Sequence, residues 1–178
     1  MIHVGQSAPA FARVTAYQRN YEGFRQVSLA DYRGKWVVLF FYPRDFTFIC
    51  PTEIEGFAQQ EEAFRKLGTE ILAASTDSEW SHQAWFTTDP RLQQVAYPVL
   101  ADTNHRLARE YDVYNEEAGL AERGLFIIDP QGVVQYALVS AGAVGRSVEE
   151  TLRVVQALQS GELCPINWRP GQKTLGKA

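Results

Sequence analysis

Seven consecutive apolar or aromatic residues, Trp36-Val-Val-Leu-Phe-Phe-Tyr42, run without a polar break into Pro43. The run is too short for a helix and shows no two-residue alternation, so it reads as a strand buried on both faces of its sheet. Such a strand demands layers above and below it, and the chain supplies them. Pro51 to Gly68 repeats its apolar positions Ile54, Phe57, Ala58, Phe64 and Leu67 at helical spacing, with Pro suited to the start and Gly to the stop. Further helices are expected over Glu79 to Phe86, over Asn104 to Tyr111, and from the Ser147-Val-Glu-Glu150 capping box through Leu158 to Gly161. Strands are expected over Glu70 to Ser75, Tyr97 to Leu100, Leu125 to Asp129 and Val133 to Val139, the last two joined by Pro130-Gln-Gly132 as an antiparallel hairpin. Two extended runs between Arg13 and Leu29, either side of Asn20 to Gly23, predict an N-terminal β-hairpin, and the residues after Gly161 read as an irregular extension. The order describes an α/β layered domain with a mixed sheet, compatible with a thioredoxin-like fold among other small α/β folds.

Composition narrows the function. Of 178 residues, 46% are hydrophobic and 21% charged, which suits one globular domain rather than a disordered or fibrous chain. The net charge of -4 has the wrong sign for a nucleic-acid groove or an anionic membrane surface, and neither partner is expected. No stretch of about 18 uninterrupted apolar residues occurs and the N-terminus lacks a signal-peptide layout, so a cytoplasmic protein is expected. The three histidines, His3, His82 and His105, are far apart in sequence and form no metal-binding pattern, so a metal site has little to build on. His82 and His105 are read as facing solvent or neighbours on helices. Trp80, Trp85 and Phe86 suit core or subunit packing, and Gly142 to Ser147 suits a turn and helix cap rather than a nucleotide site.

The two cysteines, Cys50 and Cys164, form no Cys-x-x-Cys pair. Cys50 falls where the buried strand hands over to a helix, and unpaired N–H groups and the helix dipole stabilise an anion there. A thiol of ordinary pKa is only about 3% ionised at pH 7, whereas one lowered to about 6 is roughly 90% thiolate. Thr47, three residues earlier, is placed for its hydroxyl to reach the sulfur or a substrate oxygen, and Pro43 to shield the pocket from water. Each also has a plainer reading, as a helix cap and a strand end.

The spacing Pro43-x-x-x-Thr47-x-x-Cys50 matches the active-site signature of the peroxiredoxins, and Phe-Thr-Phe-Ile-Cys50-Pro-Thr-Glu53 resembles the typical two-cysteine, alkyl hydroperoxide reductase C-like branch. The resemblance continues in order through Ser81 to Trp85, Arg123 to Asp129, Val144 to Arg153, Gly161 to Pro165 and Asn167-Trp168. It implies a thioredoxin-like fold with a mixed central sheet, N-terminal hairpin and C-terminal extension, divided as a peroxiredoxin domain over 1–160 and a tail over 161–178. It implies a thiol-dependent peroxidase that reduces hydrogen peroxide and organic hydroperoxides without a cofactor. Cys50 matches the peroxidatic cysteine and Cys164 the resolving one, paired across subunits as a redox disulfide. Arg123 matches the arginine beside the thiolate, while Glu53 and Arg146 match residues that hold it in register. Without the family, Arg123 also reads as a surface residue opening a strand, and Glu53 as a carboxylate complementing a helix dipole. The implied partners are a separate disulfide reductase, thioredoxin-type or an AhpF-like flavoprotein, and further copies of the chain in a homodimer or a decamer. The chain lacks a Gly-Gly-Leu-Gly insertion between Asp89 and Tyr97 and a Tyr-Phe terminal helix, which implies resistance to overoxidation. Two rivals stay open: a ring-forming chaperone with secondary peroxide chemistry, and a one-cysteine mechanism in which Cys164 is a bystander.

Overall fold

The computed structural model describes residues 2–177 and begins with the expected hairpin, β1 (Val14–Tyr17) paired antiparallel to β2 (Arg25–Val27). The apolar run becomes β3 (Trp36–Phe41), and α1 (Cys50–Lys66) follows it. Gly68, at φ +61, takes the left-handed conformation that ends α1 and turns the chain into β4 (Thr69–Ser75). Then come α2 (Glu79–Thr88), β5 (Val99–Ala101), the single-turn α3 (Arg106–Glu110), the short pair β6 (Tyr114–Asn115) and β7 (Leu120–Ala121), β8 (Arg123–Ile128), β9 (Val134–Ser140) and α4 (Val148–Ser160).

Seven strands form one mixed sheet in the order β2-β1-β5-β4-β3-β8-β9. β3, β4 and β5 run parallel, while β8 pairs antiparallel with both β3 and β9. The central position of β3 explains its composition: Val37 to Phe41 are all buried, with Val37, Leu39 and Phe41 in one core cluster and Phe40 stacked on Phe57 of α1 at 4.4 Å between ring centroids. The pair β6–β7 was not foreseen, since two-residue strands carry no periodicity to read.

The chain separates into two compact units, Met1–Arg146 and Ser147–Ala178. In the second, the Ser147 side chain accepts from the Glu150 N–H, half of the expected capping box; the Glu150 carboxylate pairs instead with Arg153. Gly161 ends α4 at φ +64. The tail is irregular as expected, and is tied by Leu163 N–H to Gly176 O, Leu175 N–H to Leu163 O, and the Trp168 indole to Gln172 O. Among the described residues no helix is long and apolar enough to cross a membrane.

Candidate active site

β3 delivers the chain to its carboxyl end, where Pro43 to Ile49 form a loop and Cys50 opens α1. Pro51, the second helical residue, has no N–H to leave unpaired. The Cys50 side chain faces inward, 1% exposed. Glu53 lies one helical turn further on, on the same face as Cys50.

The antiparallel register pairs Phe40 with Leu125, so Arg123, the first residue of β8, falls beside the end of β3. Its guanidinium is 3% exposed and is held by three groups. Nε donates to Gly142 O at 2.9 Å, and Nη1 to Glu53 Oε2 at 2.6 Å and to Cys50 Sγ at 3.5 Å. Arg146 binds the other side of the same carboxylate, with its backbone N–H and Nε on Oε1 at 2.8 and 2.7 Å and Nη2 on Oε2 at 2.9 Å. It also donates to Gly124 O and lies over the Phe40 ring at 5.4 Å. Burial pushes the Glu53 carboxyl up, but the bonds and charge of Arg146, then Arg123, outweigh this and hold it below its ordinary value. Two guanidiniums around one carboxylate leave a net positive charge beside the Cys50 sulfur.

Pro43, Thr47, Phe48, Ile49, Cys50, Leu120, Glu122 and Arg123 surround a mostly apolar cleft of about 300 Å³. A cleft of similar size between residues 10–15 and 101–110 is lined by neither cysteine. Thr47 Oγ1 donates to Arg44 O at 2.9 Å, which leaves its lone pairs as its remaining bonding capacity. Four of the seven expected site residues, Pro43, Thr47, Cys50 and Arg123, thus line one cleft, and Glu53 and Arg146 brace it through Arg123. Cys164 lies in the second unit, half-buried, its sulfur 3.4 Å from Ser160 Oγ and 3.8 Å from Ala157 O; both cysteines are free thiols.

The chain matches the AhpC/TSA family over residues 4–137. The chain belongs to that family. Among AhpC/TSA relatives, peroxiredoxin prdx-2 of Caenorhabditis elegans is 49% identical over 180 residues, covering 97% of this chain and 88% of its own. The crystal structure of reduced 2-Cys peroxiredoxin from Plasmodium vivax superposes with a TM-score of 0.92 at 35% identity, over 98% of this chain and 93% of that one. AhpC of Mycobacterium tuberculosis gives 0.85 at 38% identity, over 95% and 99%. The fold is therefore thioredoxin-like, and the chain is a peroxiredoxin, a thiol-dependent peroxidase among the oxidoreductases.

Two polar residues of the first unit, His82 and Asp45, pair in a way that no sequence pattern shows. His82 does not face solvent: it is fully buried, with Nδ1 at 2.8 Å from Asp45 Oδ2 and Nε2 at 3.2 Å from Leu100 O. Asp45 lies inside the loop between Pro43 and Thr47. The only sequence signal was its place within the motif span. His105 is half-buried and stacks on Tyr114 at 4.8 Å. Among the described residues no group of three or more His, Cys, Asp or Glu side chains is arranged to hold a metal.

Proposed function

We propose that this peroxidase reduces hydrogen peroxide and small organic hydroperoxides through Cys50, with Cys164 of the partner subunit as the resolving thiol. The observation that carries the reading is the Arg123 guanidinium 3.5 Å from the Cys50 sulfur, at a cleft wide enough for a small hydroperoxide. The Cys50 thiolate attacks the terminal oxygen of R–O–O–H. An S–O bond forms as the O–O bond breaks, the sulfur gives up two electrons, and RO⁻ leaves to take a proton from water. Cys50 is left as the sulfenic acid, S–OH. The peroxide O–H donates to Thr47, whose own proton is committed to Arg44 O, and Arg123 stabilises the charge growing on the leaving oxygen. Pro43 and the apolar lining keep bulk water from the sulfur.

The sulfenic acid then condenses with Cys164 of the partner subunit, releasing water and forming a disulfide. A buried sulfur cannot meet a partner without movement, so the first turn of α1 opens. Ile49 gives no side-chain cap, and the bonds that close the turn all converge on one acceptor, Ile49 O, from the Thr52 and Glu53 N–H groups at 3.0 and 3.4 Å and the Thr52 hydroxyl at 2.6 Å. A separate dithiol reductase, thioredoxin-type or an AhpF-like flavoprotein, returns the disulfide to two thiols. Residues 1–160 act as the peroxidase domain and 161–178 as the tail that presents Cys164. The exposed Phe46, Phe48 and Trp80 supply apolar surface for assembly as a dimer or decamer. A cytoplasmic location, where thiols stay reduced, suits two free cysteines.

Non-reducing electrophoresis after equimolar peroxide tests the scheme. A band at twice the chain mass is expected for the wild type and is absent from both Cys50→Ser and Cys164→Ser. Cys50→Ser also loses peroxide consumption. A wild type that stays monomeric on the gel while turning over with its reductant refutes the intersubunit step.

A further inference from the structure

The loop from Pro43 to Ile49 carries two walls of the cleft, yet it has no regular structure of its own. What fixes it is Asp45. Oδ1 accepts from Tyr42 Oη at 2.7 Å, and Oδ2 accepts from Ser81 Oγ at 2.8 Å and from His82 Nδ1 at 2.8 Å. The Asp45 backbone N–H donates to Asp77 Oδ2 at 2.9 Å, an oxygen that also accepts from Ser75 Oγ at 2.8 Å. His82 is tied in turn to Leu100 O. One loop residue is thereby fastened to the ends of β3 and β4, to α2 and to β5. Burial first, then the neighbouring Asp45 charge, pushes the Tyr42 phenol well above its ordinary value, which keeps it a donor to that carboxylate.

The next link runs toward the chemistry. The peptide that joins Arg44 to Asp45 carries the Arg44 carbonyl, and that carbonyl receives the Thr47 hydroxyl at 2.9 Å. Holding Asp45 therefore sets the direction of the Arg44 carbonyl, and the carbonyl sets the rotamer in which Thr47 turns its lone pairs outward. We infer that Asp45 and His82 are positioning residues for the peroxidase reaction, acting on the peroxide through Arg44 and Thr47 without touching it. The inference rests on the peroxidase reading given above.

The test compares two reactions of Cys50 in the full-length reduced protein. Oxidation by hydrogen peroxide uses the placement of Thr47 and Pro43, whereas alkylation by iodoacetamide needs only an accessible, nucleophilic sulfur. Asp45→Asn keeps the shape but sets an amide NH₂ against groups that donate. A displacement of about 1 Å in a catalytic group costs up to about 100-fold. For Asp45→Asn the expected loss in the peroxide rate constant is therefore about 10- to 100-fold, with alkylation within about threefold of wild type. His82→Gln, which retains an N–H donor of similar reach, is expected to lose less than His82→Ala. Ser81→Ala removes one donor of three, so it yields a smaller selective loss and carries the test should Asp45→Asn not fold. Equal losses in both reactions, or a wild-type peroxide rate in the folded variants, overturn the assignment. A wild-type Cys50 that reacts no faster with peroxide than with iodoacetamide instead overturns the peroxidase reading itself, and the assignment with it.

Discussion

Replacing Glu53 by Gln isolates what the carboxylate contributes between its two arginines. The side chain is buried and accepts four hydrogen bonds, two on each oxygen, three of them from guanidinium N–H groups and one from the Arg146 backbone. Glutamine offers one acceptor oxygen, so two of the four donors face an amide NH₂ that also donates. Each lost bond to a charged group is worth about 1.5–3 kcal/mol, and removing one partner of a buried ion pair costs about 3–5 kcal/mol. These are two counts of one interaction, and both lead to a destabilisation of about 3–5 kcal/mol at neutral pH.

The pH dependence gives a second handle. Glu53 is held below its ordinary value of 4.5, so its stabilisation is fully present above that value and is lost as pH falls through the folded-state value. Gln does not titrate. Urea unfolding of the reduced protein, followed by tryptophan fluorescence, therefore shows the full difference between wild type and Glu53→Gln at pH 7 and a smaller one in acid. A difference below about 1 kcal/mol at pH 7, the range of an exposed pair, refutes the account of a buried carboxylate clamped by two guanidiniums. So does a difference that stays constant into acid.

Other substitutions probe single features. At Gly124, beside Arg123, an added Cβ would sit 2.5 Å from Val113 Cγ1 and 3.2 Å from Phe126 Cε2, so Gly124→Ala overpacks the sheet and lowers stability by about 1–3 kcal/mol in the same unfolding assay. Ser147→Ala removes the side chain that caps α4 and costs about 1 kcal/mol. Gly161→Ala forces a Cβ into the left-handed region at φ +64 and costs about 1–2 kcal/mol. Tyr97→Phe strips the buried hydroxyl that donates to Ile54 O at 2.7 Å, leaving that carbonyl short of a donor at a cost of about 1 kcal/mol, read as a lower thermal midpoint.

What the sequence reveals here is what local chemistry controls. β3 is legible because a strand covered on both faces needs an unbroken apolar run, and the end of α1 because Gly68 must take positive φ. The Cys50 motif is legible because Pro43, Thr47 and Cys50 lie within eight residues. The bracing of that motif by Arg123, Glu53 and Arg146 is legible only through the family resemblance, because no local pattern shows it. Arg123 and Arg146 reach Glu53 across 70 and 93 positions of chain, and an arginine in isolation reads as solvated surface until the β3–β8 register brings it inside. His82 meets Asp45 across 37 positions for the same reason. The second half of the capping box failed locally, because Arg153 sits three residues from Glu150 and its guanidinium binds that carboxylate more strongly than a backbone N–H would.

Asp45 and Glu53 together bound how far the cysteine can travel. Asp45 is fastened by Tyr42, Ser81, His82 and Asp77, and Glu53 by Arg123 and Arg146, so the segment between them, residues 46–52, is flanked by two buried polar clusters. An extended chain spans at most about 3.6 Å per residue, and Cys50 stands three residues from Glu53. Opening that leaves both clusters intact thus carries the Cys50 backbone no further than about 11 Å from that of Glu53. In the proposed scheme, the same two anchors would confine a resolving thiol to a small region over the mouth of the cleft. In that scheme, closing the site again would require only the seven residues 46–52 to refold between the two clusters.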